Sequence, residues 1–175
     1  VHAPNSYEPD ILQKVSAKDV LTHEEAVLSA ENTIKETREW IKENAAQEKN
    51  MAFVVVDKNE HLLGIVKRED IFGKQYADDA SIESLIKGNV PYIYPDNELS
   101  TAVDIMDKYQ TDILPVISHD ELKKVIGVLS HKNIFAAYRQ RRNENEIYKQ
   151  TISLRRQGIR IVLRGRQFFG WEKEK

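Results

Sequence analysis

The sequence contains no cysteine. That excludes a disulfide scaffold and a thiolate metal site, and it permits a reducing compartment. No apolar run approaches the ~20 residues that a membrane helix needs. The first ten residues, VHAPNSYEPD, lack the basic-then-apolar pattern of a secretory signal. A starting Met is also missing, so the chain reads as part of something longer. Glycine is sparse, at seven residues, and none clusters into a phosphate-cradling loop. The five histidines are scattered, and His23-Glu24-Glu25 lacks the second His of a zinc-binding helix.

What is present is a soluble, globular balance: 41% hydrophobic and 31% charged over 175 residues, enough for one compact domain or two small repeats sharing a core. The net charge is −2, but its sign is unevenly placed. From Arg139 to Arg166 nine basic residues stand against two glutamates, a local net of +7 that leaves −9 on the remainder. An acidic body with a basic C-terminal arm points to a negatively charged neighbour for the arm.

The chain writes one pattern twice. GIVKREDIF (64–72) and GVLSHKNIF (127–135) share an opening Gly, two aliphatics, a polar tetrad and a closing Ile-Phe. Residues 18–44 align with 83–109. In each copy a short helix, around Val20-Leu21 or Leu85-Ile86, leads to an extended piece, Ala26-Val27-Leu28 or Tyr92-Ile93-Tyr94. Pro91 and Pro95 fix the extended shape of the second. An amphipathic helix follows, with Ile34, Thr37, Ile41 and Ala45 inward and Trp40 beside them, in the core or at the repeat interface; Leu99, Ala102, Val103, Ile105 and Met106 serve in the second copy. Two β-hairpins are expected, Phe53–Val56 with Leu63–Lys67 and Ile113–Ile117 with Val125–Leu129. Each unit is thus β-α-β-β-α, about 60 residues long, and pairing the two buries the sheet face that each would expose alone. KQYADDAS (74–81) is the linker.

This tandem pattern resembles the cystathionine-β-synthase (CBS) domain pair, or Bateman module, over about residues 15–140. Phe53-Val54-Val55-Val56-Asp57 with Gly64 to Ile71, and Leu114-Pro115-Val116-Ile117 with Gly127 to Ile134, carry the resemblance. The implied fold class is α+β: two repeats as a pseudo-two-fold pair, plus a basic helical or extended tail. The implied organisation is a joining segment at 1–14, repeats at 15–76 and 77–140, and the tail at 141–175. GVLSHKNIFAAYR (127–139) and PDILQKVSAKDVLT (9–22) look like parts of the cytoplasmic CBS pair of bacterial ClC-type chloride channels and transporters.

In the nucleotide-binding members of this family, the motif Asp accepts both ribose hydroxyls, and a Thr or Ser meets the phosphate or ribose side. Each copy here keeps half of that site. Asp70 is present, with Lys67 where Thr or Ser is expected; Ser130 is present, with Asn133 where Asp is expected. Lys67 is either a phosphate-binding point charge or a solvated lysine at a helix start. Asp70 and Asn133 either serve a ligand or cap and solvate their helices. Thr22, Val27, Tyr92 and Leu114 complete the candidate nucleotide-binding set, and ATP, ADP or AMP are the candidate ligands.

The tail mixes arginines with Phe168, Phe169 and Trp171. Arg155, Arg156, Arg160, Arg164, Arg166 and Trp171 are candidates to contact an anionic bilayer or a protein partner. No nucleic-acid fold accompanies them. Ser118-His119-Asp120 carries the letters of a catalytic triad, but a triad needs convergence in space rather than adjacency in the chain. The expectation is therefore a non-enzymatic, homodimeric regulatory domain on the cytoplasmic side of the cell membrane, joined to a channel or transporter domain of the same chain. The alternative is a free-standing sensor of adenine nucleotides.

Overall fold

The computed structural model describes residues 9–23, 27–46 and 48–156, with side chains described for 11–23, 27–46 and 48–146. Helix α1 (Pro9–Lys14) and a 3-10 turn (Ala17–Asp19) precede β1 (Val27–Ser29), α2 (Ile34–Glu43), β2 (Ala52–Val56), β3 (Leu62–Lys67) and α3 (Arg68–Ile71). A second 3-10 turn (Ile82–Leu85) then leads to α4 (Leu99–Tyr109), β4 (Ile113–Ile117), β5 (Val125–Ser130) and α5 (His131–Arg156). This is the expected α+β pair of repeats. The short helices ahead of each strand are 3-10 turns.

Both hairpins form where β-branched residues are dense. β2 pairs antiparallel with β3, and β4 with β5, with a register shift at the same place in each copy, Val55/Val56 and Val116/Ile117. β1 adds parallel to β2, placing Leu28 opposite Val55. In the second copy that strand shrinks to a single bridge, Ile93 with Val116. Pro91 and Pro95 lack the N–H groups that would extend the ladder.

Every residue of β2 and of β4 is buried. The period of two along a strand splits these residues between opposite faces. Phe53 and Val55 face α2 in one core, with Ile34, Ile41, Val66 and Ile71. Leu114 and Val116 face the second copy's helices, with Leu99, Ala102, Met106, Leu129 and Ile134. Ala52, Val54, Val56, Ile113 and Ile117 meet in a third cluster between the two sheets, as expected. The hairpin tips are also joined: Leu62 donates to the Lys123 carbonyl (2.8 Å), and Val125 donates to that of Glu60 (3.0 Å).

Each core is completed by the arm that precedes the other repeat. Ile11, Leu12, Val15 and Ala17 lie in the second repeat's core. There Ala17 donates to the Asn97 carbonyl (2.8 Å), and Leu99 donates to that of Val15 (3.0 Å). Ile82 and Leu85 lie in the first repeat's core, where Ile82 donates to Asn32 and Ile34 to Ala80. The 74–81 segment is packed rather than loose. Arg38 on α2 donates to the carbonyls of Ile71 and Gly73 and pairs with Asp78, and Tyr76 rests against the first core.

α2 begins with a capping box. Thr33 Oγ1 accepts from the Glu36 amide (3.1 Å), and Glu36 accepts from the Thr33 amide (2.9 Å). Its buried stripe is Ile34, Thr37 and Ile41. Trp40 was expected in the core or at the repeat interface but is 39% exposed, because its position points off that stripe. Ala45 lies beyond the cap at Asn44 and is exposed. α5 runs without a break across residue 140, from His131 to Arg156.

The arms cross the β-hairpins at the two motif glycines. A Cβ on Gly64 would stand 2.5 Å from Ile86 Cγ2, and one on Gly127 would stand 2.6 Å from Leu21 Cδ1. Gly64→Ala is therefore expected to destabilise the fold by about 1–3 kcal/mol in denaturant titration. Pairing it with Ile86→Ala should return part of that loss as a favourable coupling. Strict additivity of the two substitutions would show that the close approach is not what demands glycine.

Candidate functional site

A cleft of about 650 Å³ opens between the repeats, within the size range of small-molecule sites. One wall comes from the first repeat: Met51 and Ala52 at the start of β2, Ile65 and Lys67 on β3, and Glu69 on α3. The opposite wall comes from the second: Lys87 to Pro91, then Val103, Met106 and Asp107 on α4, and the turn from Tyr109 to Asp112, with His131 beyond. Gln110 ends α4 in the left-handed conformation, φ 51°, and its amide donates back to the Asp107 and Met106 carbonyls. That turn brings Thr111 and Asp112 into the cleft. The lining combines an aliphatic slot (Ile65, Val90, Val103, Met106) with two lysines, three carboxylates and several neutral hydrogen-bonding groups.

Of the sequence candidates, Lys67 lines this cleft. It occupies the N-cap of α3 without a side-chain bond to the helix amides. Asp70 sits one turn on, with its Oδ1 3.7 Å from Lys87 Nζ. Ser130 and Asn133 occupy the equivalent turn of the second repeat and do not line the cleft. Ser130 is buried, and its Oγ accepts from the Asn133 amide at 3.1 Å, so it caps α5. Thr22 exchanges backbone hydrogen bonds with Val128. Val27 is exposed on β1. Tyr92 is 42% exposed and edge-on to Tyr94, with ring centroids 5.7 Å apart. Leu114 is wholly buried in the second core and offers no side-chain surface to a ligand.

Sequence reasoning did not single out Lys87, Met51 or the 109–112 turn. The one local mark of the first is a polar Lys-Gly-Asn turn between Ile86 and Val90, with Gly88 at φ 71°. Arg155 and Arg156 lie in the last turn of α5 but their side chains are outside the described residues, as are Arg160, Arg164, Arg166 and Trp171. No helix among the described residues is long and apolar enough to cross a membrane.

Ser118, His119 and Asp120 do not converge. Ser118 Oγ accepts from the Asp120 amide (3.0 Å), organising a turn. His119 Nε2 instead meets Asp96 Oδ1, and its ring stacks on Tyr94 at 4.3 Å and 7°. The hydrogen bond from His119, helped by the backbone amide of Asp96, holds the Asp96 carboxyl below its ordinary 3.8. Because the folded value is depressed, the stabilisation is present above pH 3.8 and is lost as pH falls through the folded pKa. His119→Ala should raise the Asp96 titration midpoint in a carboxyl-resolved NMR titration. The stability gap between wild type and variant should close as the pH drops below 3.8. An unmoved Asp96 midpoint would show that the contact is not formed in solution.

A model of the CBS domain matches twice, over residues 17–76 and 82–140. A homoserine O-acetyltransferase from Methanosarcina acetivorans is 24% identical over 127 residues; the match covers 73% of this chain and only 22% of that enzyme's length. The cytosolic domain of the Mg2+ channel MgtE in complex with ATP superposes with a TM-score of 0.59 at 17% identity, over 69% of this chain and 48% of that one. A CBS domain pair in complex with methylthioadenosine and S-adenosyl-L-methionine gives 0.59 at 20% identity, over 73% and 98%. The structural likenesses extend to the fold. The family assignment rests on the two matched repeats, which cover more than half of the residues: the chain belongs to the CBS domain family, as a tandem pair.

Proposed function

We propose that this CBS pair is a regulatory module that takes an adenine nucleotide in the cleft between its repeats and, as a homodimer, biases the gating or transport of a ClC-type chloride channel or transporter. The observation that supports ligand binding is the cleft itself. It joins an aliphatic slot to Lys67 and Lys87, and Asp70, outside that lining but 3.7 Å from Lys87 Nζ, is the acceptor for a ribose diol in this reading. The channel assignment is supported by the Ile-Phe-Ala-Ala-Tyr-Arg run at 134–139 and by the joining segment at 9–22. In this reading the repeats are 15–76 and 77–140, and the arginine-rich tail from 141 contacts anionic lipid or the partner copy. A ligand acts on such an assembly only through different affinities for its two states. No catalytic role is assigned; the acetyltransferase likeness spans 22% of that protein.

The second reading is a free-standing nucleotide sensor. It is favoured by the 98% coverage of a solved CBS pair whose crystals hold adenosine-based ligands.

ATP, ADP or AMP is expected to raise the melting temperature. Asp70→Ala should abolish the shift. An unchanged melting temperature at millimolar nucleotide would sink the sensor role. Fractionation of native cells separates the two readings. A band much larger than 20.3 kDa in washed membranes supports the channel, and a cytosolic band near 20.3 kDa supports the free-standing sensor.

A further inference from the structure

Each hairpin turn carries a His–Asp pair, and the two pairs differ in what they join. His61 Nδ1 lies 3.5 Å from Asp57 Oδ2, four residues away within the β2–β3 turn itself. His119, in the β4–β5 turn, reaches across 23 residues to Asp96, and its ring stacks on Tyr94. The first pair organises one turn. The second fastens the β4–β5 turn to a different segment.

That segment is the seat of the first arm. The turn from Tyr94 to Asn97 is closed by the Asn97 amide on the Tyr94 carbonyl (3.1 Å) and by Asn97 Oδ1, which accepts from the Tyr94 amide (2.9 Å). Ala17 donates to the Asn97 carbonyl and Lys18 to that of Pro95, both at 2.8 Å. Asp96 therefore stands between the two residues that hold the arm. Its carboxylate is faced by His119 from the β4–β5 turn and, through space, by Lys18 from the arm. Of the other charges on the β4–β5 turn, Lys124 pairs with Glu121 (3.2 Å), and Asp120 follows His119 with its amide on Ser118 Oγ.

An imidazole ordinarily changes charge between about pH 5 and about pH 8. On the acid side of that window the contact joins an imidazolium to a carboxylate, and such charge-assisted bonds are about twice as strong as neutral ones. We infer that the His119–Asp96 pair is a pH-sensitive latch on the seat of the first arm, closed on the acid side of neutrality and loosened on the alkaline side. The latch acts on the arm directly and needs no ligand in the cleft. It matters to the core because Val15 and Ala17, beside the seat, complete the second repeat's apolar cluster.

Amide hydrogen exchange of the full chain, read as protection factors at Ala17 and Lys18 from about pH 5 to about pH 8, tests this. Protection at both amides is expected to be about two- to fivefold greater at the acid end. His119→Gln and Asp96→Asn, at exposed positions and with a hydrogen-bonding side chain kept, should each flatten that dependence. His61→Gln should leave it intact. Wild-type protection that does not change with pH would overturn the latch. So would a pH dependence that survives in His119→Gln or disappears in His61→Gln. An equal change at the Val55 amide, deep in the first core, would show a global loss of stability and overturn a local latch as well.

Discussion

The structure depends on two strands that are buried on both faces. β2 and β4 have no solvent-facing residue, so each needs a cover on either side. One cover is mutual, the central cluster of Ala52, Val54, Val56, Ile113 and Ile117. The other is a helical layer that neither repeat completes from its own contiguous sequence. The first core lacks Ile82 and Leu85 until the second arm arrives, and the second lacks Ile11, Leu12, Val15 and Ala17 until the first arm does. A unit of about 60 residues is marginal alone. Exchanging arms makes the two marginal cores one cooperative object, because opening either arm exposes apolar surface in the other half.

That exchange accounts for the doubled glycine. Gly64 and Gly127 open the repeated motif because the arm of the opposite repeat passes where a Cβ would sit, Ile86 in one case and Leu21 in the other. The following polar residues are free to diverge because only one of the two turns has to launch a long helix. Ser130 caps the 26-residue α5. α3 has four residues and is pinned at its far end, where Arg38 donates to the Ile71 and Gly73 carbonyls. It does not need a capping hydroxyl, so Lys67 can stand in its place and point its charge elsewhere.

Much of this was legible in the sequence, for local reasons. The hairpins follow from dense β-branched residues between polar turns, and α2 and α4 from apolar spacing. Ile113–Ile117 forms over the expected span. The misses share one cause: local patterns report that a residue is apolar without naming what it will meet. Trp40 has the bulk of a core residue, but the helical period sets it beside the stripe of Ile34, Thr37 and Ile41. Leu114 stands next to a motif associated with ligands, but its side of the strand faces the helices. The cleft was legible through Lys67 and not through Lys87 or the Gln110 turn, whose roles depend on the way the second repeat folds back over the first.

The arm ahead of the second repeat links cleft and core directly. Within eight residues it places Ile86 against Gly64, Lys87 and Val90 in the cleft wall, and Ile93 in a bridge to Val116. A ligand that drew Lys87 away from Asp70 would pull on a segment anchored at one end in the first repeat and at the other in the second. The packed cores resist continuous deformation. Its effect would therefore appear as a changed balance between two arrangements of the repeats rather than as a local adjustment. Signal strength in such a device is bounded by the ligand's differential affinity for the two arrangements. The loose 3.7 Å Asp70–Lys87 contact suits that role better than a tight, buried ion pair would, because breaking it forfeits little of the binding free energy.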